Sequence, residues 1–189
     1  MAITIKENPS SSKRGDCMKK VVLIAYLTIV VSLMALAYEV QALDVDLERY
    51  AGKWYEIGRY GLFFEMGLTN VTAEYTLMDD GMIQVVNQGY YGGLDGLKSS
   101  IKGTAYAPNP DETGKLLVRF FSTFESDYWV IDLDEDNYSY SIVSQPSKKF
   151  LWILSRTPKM DPQLYNELIE KLRSWDFPVE KIEKVVQDW

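Results

Sequence analysis

Histidine is absent from this 189-residue chain, and cysteine occurs once, at Cys17. Imidazole is the usual general base near neutral pH and the commonest metal ligand in proteins. Its absence excludes serine–histidine triads, HExxH zinc sites and two-histidine iron sites. A single cysteine also excludes intramolecular disulfides and cysteine-rich metal clusters. The composition therefore predicts no metal centre and no cofactor.

An apolar run lies near the N-terminus. Four basic residues precede it between positions 13 and 20, only Thr28 and Ser32 interrupt the apolar run over residues 21–37, and small residues around Ala42 suit a cleavage site. This pattern predicts a leader or signal segment over residues 1–42 and one folded domain over 43–189. The alternative is an uncleaved helix that associates with the membrane, since a bilayer span needs about 17 to 25 residues. Either interpretation predicts a secreted or cell-envelope protein, in the periplasm or outer membrane if the host is bacterial.

The part of the chain beyond residue 42 is acidic and lacks cysteine. Cys17 precedes the apolar run, whereas a bacterial lipoprotein needs a cysteine just after it, so lipid attachment is not predicted there. Beyond residue 42 there are 15 basic and 24 acidic residues, which give a net charge of −9. Such a surface repels phosphate backbones, so nucleic acid is not expected as a partner.

Short runs of alternating hydrophobicity, separated by turn-rich clusters, dominate the chain up to position 160. This pattern predicts an all-β domain, either an antiparallel barrel or a sandwich. Eight strands are predicted, over residues 54–60, 70–77, 82–91, 99–106, 115–121, 127–133, 138–143 and 149–155. An amphipathic helix follows, with Asp161 as N-cap, Pro162 in its first turn and an end at Phe177. The segment 179–189 is expected to return to the sheet as an edge strand.

Three motifs then resemble the signatures of the lipocalin family, in the same order and spacing. They are D-L-E-R-Y-A-G-K-W-Y-E-I at 46–57, Y-W-V-I-D-L-D at 128–134 and L-W-I-L-S-R-T-P at 151–158. The second departs from the family pattern, because Leu133-Asp134-Glu135 stands where threonine, aspartate and tyrosine are usual. The resemblance covers nearly all of residues 44–186. Further segments, such as Tyr55-Glu56-Ile57 and Asn87-Gln88-Gly89-Tyr90, resemble the bacterial branch, that of the outer-membrane lipoprotein Blc, with apolipoprotein D as an animal relative.

The resemblance implies an eight-stranded antiparallel up-and-down β-barrel with one C-terminal amphipathic α-helix packed on the outside. It assigns structural roles to Gly52, Trp54, Asp134 and Arg156. Gly52 permits a close backbone approach, and Trp54 plugs the closed end of the barrel. Arg156 is expected to stack on Trp54 as a cation–π pair worth about 0.5 to 2 kcal/mol. Asp134 belongs to the turn after the sixth strand.

Side chains alternate between the two faces of each strand. With the strand register that the family resemblance implies, the side chains that face the barrel interior are mostly apolar. The predicted ligand-binding residues are Ala73, Tyr75, Leu77, Val85, Asn87, Ile101, Val118, Phe120, Tyr128, Ser141, Phe150 and Trp152. The loop after the first strand lies where lipocalins carry a flap across the mouth. Four apolar side chains there are the predicted flap, namely Leu62, Phe63, Phe64 and Met66. The alternative is that these side chains pack inward and close the top of the barrel.

The resemblance implies a non-enzymatic carrier of small hydrophobic ligands. Fatty acids and lysophospholipids are the expected ligands, in membrane maintenance or stress response. A solid core without a cavity is the competing structural interpretation. Two other functions stay open: an enzyme acting on a bound lipid, and a protein-interaction module that docks, or forms a homodimer, through the aromatic rim. The predicted inward set contains no acidic residue, so no catalytic residue is assigned.

Two further patterns carry smaller expectations. Sequons at Asn70 and Asn137 would be glycosylation acceptors in a eukaryotic secretory route. Asp132, Asp134 and Asp136 alternate like the start of a calcium-binding loop, but position 137 is not glycine and position 143 is not glutamate. We therefore expect a solvated turn there rather than a metal site.

Overall fold

The computed structural model describes residues 39–61, 65–121 and 124–189, with Phe124 described by its backbone alone. Most of the leader predicted over 1–42, and the flap residues Leu62, Phe63 and Phe64, lie outside the described residues. Residues from Glu39 onward form one compact unit. Val40 is already buried against this unit, two residues before the predicted cleavage point. None of the helices within the described ranges is long and apolar enough to cross a membrane.

The described chain forms one antiparallel sheet that closes on itself. A short helix, α1 (Leu47–Tyr50), leads into the strands β1 (Gly52–Tyr60), β2 (Leu68–Leu77), β3 (Ile83–Tyr91), β4 (Leu97–Tyr106), β5 (Lys115–Phe121), β6 (Phe124–Leu133), β7 (Tyr140–Ser144) and β8 (Leu151–Ser155). Each strand pairs with the next, and β1 pairs with both β8 and β2. The predicted eight-stranded up-and-down barrel is confirmed, and the sandwich alternative is wrong.

The closure of the barrel is uneven along β1. One edge of β1 pairs with β2 over its first half only, from Gly52 opposite Tyr75 to Tyr55 opposite Thr72. Both strands then bulge, between Glu56 and Gly58 in β1 and between Thr69 and Thr72 in β2. Over its second half, the same edge of β1 pairs with β9 (Glu183–Lys184). The predicted edge strand therefore exists, reduced to two residues.

The predicted C-terminal helix is also confirmed, as α2 (Pro162–Ser174). The carboxylate of Asp161 accepts hydrogen bonds from the backbone N–H groups of Gln163 and Leu164, at 2.8 and 3.1 Å. These bonds satisfy two of the donors that a helix start leaves without partners. The apolar face of α2 packs on the outside of the barrel, where Leu168 and Leu172 join a buried cluster with β7 and β8. A short 3-10 turn, Val179–Lys181, then leads into β9.

One end of the barrel is closed by α1 and by the first and third motifs. The guanidinium of Arg156 lies 3.8 Å from the centre of the Trp54 ring, as the resemblance implies. It also donates hydrogen bonds to the backbone carbonyls of Lys53, Arg49, Tyr50 and Tyr138. Gly52 has φ +94°, and an added Cβ there would lie 3.4 Å from Arg156 Nη1. A side chain at position 52 would be strained by this backbone conformation alone.

Candidate functional site

The other end of the barrel carries the connections after β1, β3, β5 and β7, and we call it the mouth. The structure describes these connections except at residues 62–64 and 122–123. Large apolar side chains are exposed around it at Met66, Tyr91, Leu94, Leu97 and Phe121. Leu97 and Phe121 are 73% and 67% exposed. Met66 is the one predicted flap residue that the structure describes, and it points into solvent rather than inward.

A chain of buried hydroxyl groups crosses the barrel interior near its closed end. The Tyr128 hydroxyl lies 2.9 Å from the Tyr50 hydroxyl and 2.8 Å from the Tyr75 hydroxyl. Tyr50 also lies 3.1 Å from the Ser141 hydroxyl. Burial raises the pKa of Tyr50 to about 12 and the pKa values of Tyr75 and Tyr128 well above 10. These groups are therefore neutral at physiological pH and satisfy one another without charge.

The predicted ligand-binding residues divide into two layers. The layer next to the closed end is buried and contains Ala73, Tyr75, Val85, Val118, Tyr128 and Ser141. The layer next to the mouth, which we call the upper layer, is only partly buried and contains Asn87, Ile101, Phe120, Phe150 and Trp152. The residues of the lower layer are thus shielded from solvent, whereas those of the upper layer keep partial exposure. The cavity and the solid core both stay predictions.

One residue of the predicted set does not belong to the interior. Leu77 is the last residue of β2, beside the turn at the closed end, and is 37% exposed. Its partner Ile83 is buried in the core. The prediction of Leu77 as a ligand-binding residue is therefore wrong. Alternation predicts whether a side chain faces inward or outward, but not how far along the barrel axis it lies.

Three charged residues inside the barrel were missed by the sequence analysis. Glu56, Arg59 and Glu65, which we call the charged cluster, are 4%, 4% and 8% exposed. Arg59 Nη1 donates to Glu56 Oε1 at 2.8 Å, and Arg59 Nη2 donates to the carbonyls of Glu65 and Leu68 at 2.6 and 3.1 Å. The expectation that no acid faces inward is wrong.

The bulge in β1 explains why alternation could not place Arg59 in this cluster. Glu56 pairs with Leu154 and Arg59 pairs with Trp152, and both of these β8 residues face the interior. Strict alternation from Trp54 turns Glu56 inward but Arg59 outward. The extra residue in the bulge restores Arg59 to the inward face. Gly58 sits at this bulge, where an added Cβ would lie 3.1 Å from Ile182 Cγ2.

Burial controls the protonation of the two carboxyl groups. Burial first, and the neighbouring Glu65 charge second, raise the pKa of Glu56 to about 8, although Arg59 acts in the opposite direction. Burial also raises the pKa of Glu65, against the Arg59 charge and a hydrogen bond from Trp152. Two carboxyls thus face a single guanidinium, and the pair retains a proton at neutral pH.

Among the described residues, two buried acceptors of the upper interior find no hydrogen-bond partner. They are Glu65 Oε2, which lies 4.0 Å from Arg59 Nη1, and Asn87 Oδ1 on β3. A buried polar atom without a partner costs about 1 to 3 kcal/mol. The upper interior is therefore short of hydrogen-bond donors, which a bound molecule could supply.

Four side chains outside the interior test the smaller expectations from the sequence. Asn70, in the β2 bulge, is 0% exposed and its side-chain oxygen accepts from the Asp188 backbone N–H at 2.6 Å. A glycan on Asn70 is therefore incompatible with this fold, while Asn137 is exposed and stays a prediction.

Asp132 is not in a solvated turn as expected, since it is buried in β6 and its Oδ1 accepts from Lys171 Nζ at 2.7 Å. Asp134 accepts from Asn137 and Ser139 in the turn after β6.

Comparisons with known proteins agree with this architecture. Residues 45–187 match a family model described as a lipocalin-like domain. The outer membrane lipoprotein Blc of Vibrio cholerae is 41% identical over 144 residues, which are 76% of this chain and 84% of that protein. Apolipoprotein D of Bos taurus is 36% identical over 145 residues, 74% of this chain and 75% of that protein. The solved structure of insecticyanin from the tobacco hornworm Manduca sexta superposes with a TM-score of 0.61 at 23% identity, covering 80% of this chain and 85% of that one.

Proposed function

This chain belongs to the lipocalin family, and from that premise we propose that it binds and carries small hydrophobic ligands in the upper half of its barrel. The observation that carries the proposal is the division of the interior into two layers. The lower layer, with Tyr75, Val85 and Tyr128, is buried and would form the floor of the binding site. The upper layer, with Ile101 and Trp152, is inward-facing, mostly apolar and partly exposed to solvent.

An acyl chain suits this space. Each buried methylene contributes about 0.8 kcal/mol, so a long chain reaches micromolar affinity with few polar contacts. Aromatic rings line the entrance, where the ring centres of Phe150 and Trp152 lie 6.2 Å apart. Fatty acids and lysophospholipids are the ligand classes that we propose first, with membrane maintenance or stress response as the setting.

The test is native mass spectrometry of the protein purified without detergent, followed by identification of any molecule that dissociates. The matched variants are Ile101→Lys and Ser100→Lys, which place the same charge on opposite faces of β4. We expect Ile101→Lys to lose the bound lipid and Ser100→Lys to retain it. A lipid-free protein that also refuses added fatty acids and lysophospholipids would refute the carrier function.

Catalysis on a bound lipid is a second candidate, favoured by the pair Glu56 and Glu65. A buried carboxyl with a raised pKa can donate or accept a proton near neutral pH. The test is mass analysis of lipid recovered after prolonged incubation with the protein and with Glu65→Gln. Recovery of unaltered lipid from both proteins would reject this candidate.

An interaction module is a third candidate, favoured by the exposed apolar side chains at the mouth. Met66, Leu97 and Phe121 would lie in a homodimer contact if two mouths met. Light scattering at low protein concentration, with and without added lipid, tests this arrangement. Tight dimers that lipid does not alter would favour interaction over transport.

We place the protein in the cell envelope or outside the cell. This proposal rests on the apolar leader within residues 1–42 and on the name of a relative, an outer membrane lipoprotein. Cell fractionation followed by mass determination of the mature N-terminus tests both the compartment and the cleavage point.

A further inference from the structure

The charged cluster has an excess of acceptors. It contains two carboxyl groups and one guanidinium, all at least nine-tenths buried. Arg59 already donates to one carboxylate and to two backbone carbonyls. Glu65 Oε2, in contrast, has no hydrogen-bond partner within residues 39–61, 65–121 and 124–189. The cluster is therefore better suited to receive a donor or a cation than a second anion.

Trp152 lies next to this acceptor, and two further aromatic rings lie next to Trp152. Trp152 lies opposite Arg59 in the register of β8 with β1, and its indole is close enough to lower the pKa of Glu65. The Tyr128 ring stacks on the Trp152 ring with centroids 6.4 Å apart. The centroid of the Phe150 ring lies 6.2 Å from that of Trp152. Aromatic faces attract ammonium groups, most strongly where water is excluded. Carboxylates beside aromatic rings are the recognition chemistry of an organic cation.

The protonation of the charged cluster also favours a cationic ligand. The groups that face Glu56 and Glu65 are Arg59 on β1, Tyr75 on β2 and Trp152 on β8. Of these, Arg59 is the cation, and it neutralises one carboxylate. The other carboxyl keeps its proton because a second buried negative charge would have no counter-ion. A cationic ligand can replace that proton without changing the total charge of the cluster.

The geometry points to a subsite for the ammonium head of a long-chain amphiphile, formed by Glu65, Glu56 and the rings of Trp152 and Phe150. The ammonium group donates to Glu65 Oε2, and the apolar chain occupies the upper layer of the barrel. Asn87 Oδ1, which is also buried in the upper interior and has no partner among the described residues, accepts from a further hydroxyl or amine donor of the same ligand. The inference rests on the proposed carrier function and makes an amine, rather than the carboxylate of a fatty acid, the preferred polar end.

The test compares three probes with the same chain: dodecylamine, 1-dodecanol and dodecanoate, each below its micelle concentration. Binding is measured by calorimetry on the full mature protein at pH 6 and pH 8.5. We expect dodecylamine to bind about tenfold or more tightly than the other two, since it gains a charge-assisted hydrogen bond and a cation–π contact. Its affinity should rise with pH, and titrations in buffers of different ionisation enthalpy should show that binding releases a proton.

Matched variants separate this subsite from general electrostatic attraction. Glu65→Gln should abolish the preference for the amine and the proton release, while 1-dodecanol binding shows that the barrel is intact. Asp95→Asn, an exposed acid on the loop after β3 at the same end, should behave as wild type. Should Glu65→Gln fail to fold, the proton release of the wild-type protein decides the question by itself.

The possible failures are distinguishable. Equal affinity for the three probes at both pH values would overturn the ammonium subsite and leave the carrier function standing. Tighter binding of dodecanoate would overturn it as well. Failure of all three probes to bind would refute both the subsite and the carrier function.

Discussion

Arg156 joins separate parts of the chain through one side chain. Its guanidinium covers the Trp54 ring and donates to carbonyls of α1, β1 and the turn after β6. The third motif predicted the ring contact but not these four carbonyl bonds. Backbone acceptors leave no trace in a sequence, so only the folded geometry could reveal them.

Replacing Arg156 by alanine should lower the free energy of unfolding by about 2 to 4 kcal/mol, since a cation–π contact and several charge-assisted hydrogen bonds disappear. Arg156→Lys keeps the charge but not the planar fork, so its loss should be intermediate. Urea unfolding measures the difference. Lys159→Ala, at an exposed position nearby, should stay within about 0.5 kcal/mol of wild type. An Arg156→Ala protein as stable as this control would contradict the role.

The limits of sequence reasoning also appear at the scale of the element. Alternation and turn residues placed all eight strands to within a few residues, because a half-buried sheet imposes period two on its side chains. The bulges of β1 and β2 left no comparable signal, so the inward Arg59 was missed. Glu65 was missed for another reason, since it lies on a loop, where no periodicity applies. The division of the interior into layers depends on the tilt of strands and could not be read from any one of them.

The two bulges leave carbonyls that the sheet cannot satisfy. Gln187 Nε2 donates to the carbonyl of Glu56 at 2.8 Å and to that of Val71 at 2.9 Å. The backbone of Asn70 also donates to the Val186 carbonyl at 2.7 Å. The segment after β9 therefore fastens β1 to β2 where their own pairing has stopped.

Gln187→Ala should lower the free energy of unfolding by about 2 kcal/mol, because two buried carbonyls lose their donor. Thermal and urea unfolding measure this loss. Val186→Ala changes the exposed neighbour and keeps the backbone bond to Asn70, so it should be near neutral. Equal stability of the two variants would show that the fastening by Gln187 carries no energy.

At the scale of the whole molecule, the charged cluster makes stability depend on pH. The pKa of Glu56 rises from 4.5 to about 8 on folding, chiefly through burial. Between these values the unfolded chain has released a proton that the folded protein keeps, so the unfolded state binds fewer protons. Stability therefore falls as pH rises from about 4.5 to 8, by an amount on the order of a few kcal/mol, and levels off above.

Chemical unfolding at pH 5, 6.5 and 8 measures this slope. Glu56→Gln should flatten it, whereas Glu135→Gln, at an exposed turn position, should leave it unchanged. Carboxyls with lowered pKa values, such as Asp134, titrate below this window and do not mask the effect. A wild-type stability that rises from pH 5 to pH 8 would contradict the buried proton.

The contact between β2 and the C-terminal segment cannot form until the C-terminus has been synthesised. Asn70 and Asp188 bond to each other across 118 positions of sequence. At ribosomal rates of about 5 to 20 residues per second, Asn70 is synthesised on the order of 10 s before Asp188. Contacts of such range also form slowly once the chain is released. We therefore expect the barrel of the nascent protein to remain incomplete until translation of the domain is over, with the contact between β2 and the C-terminal segment among the last to form.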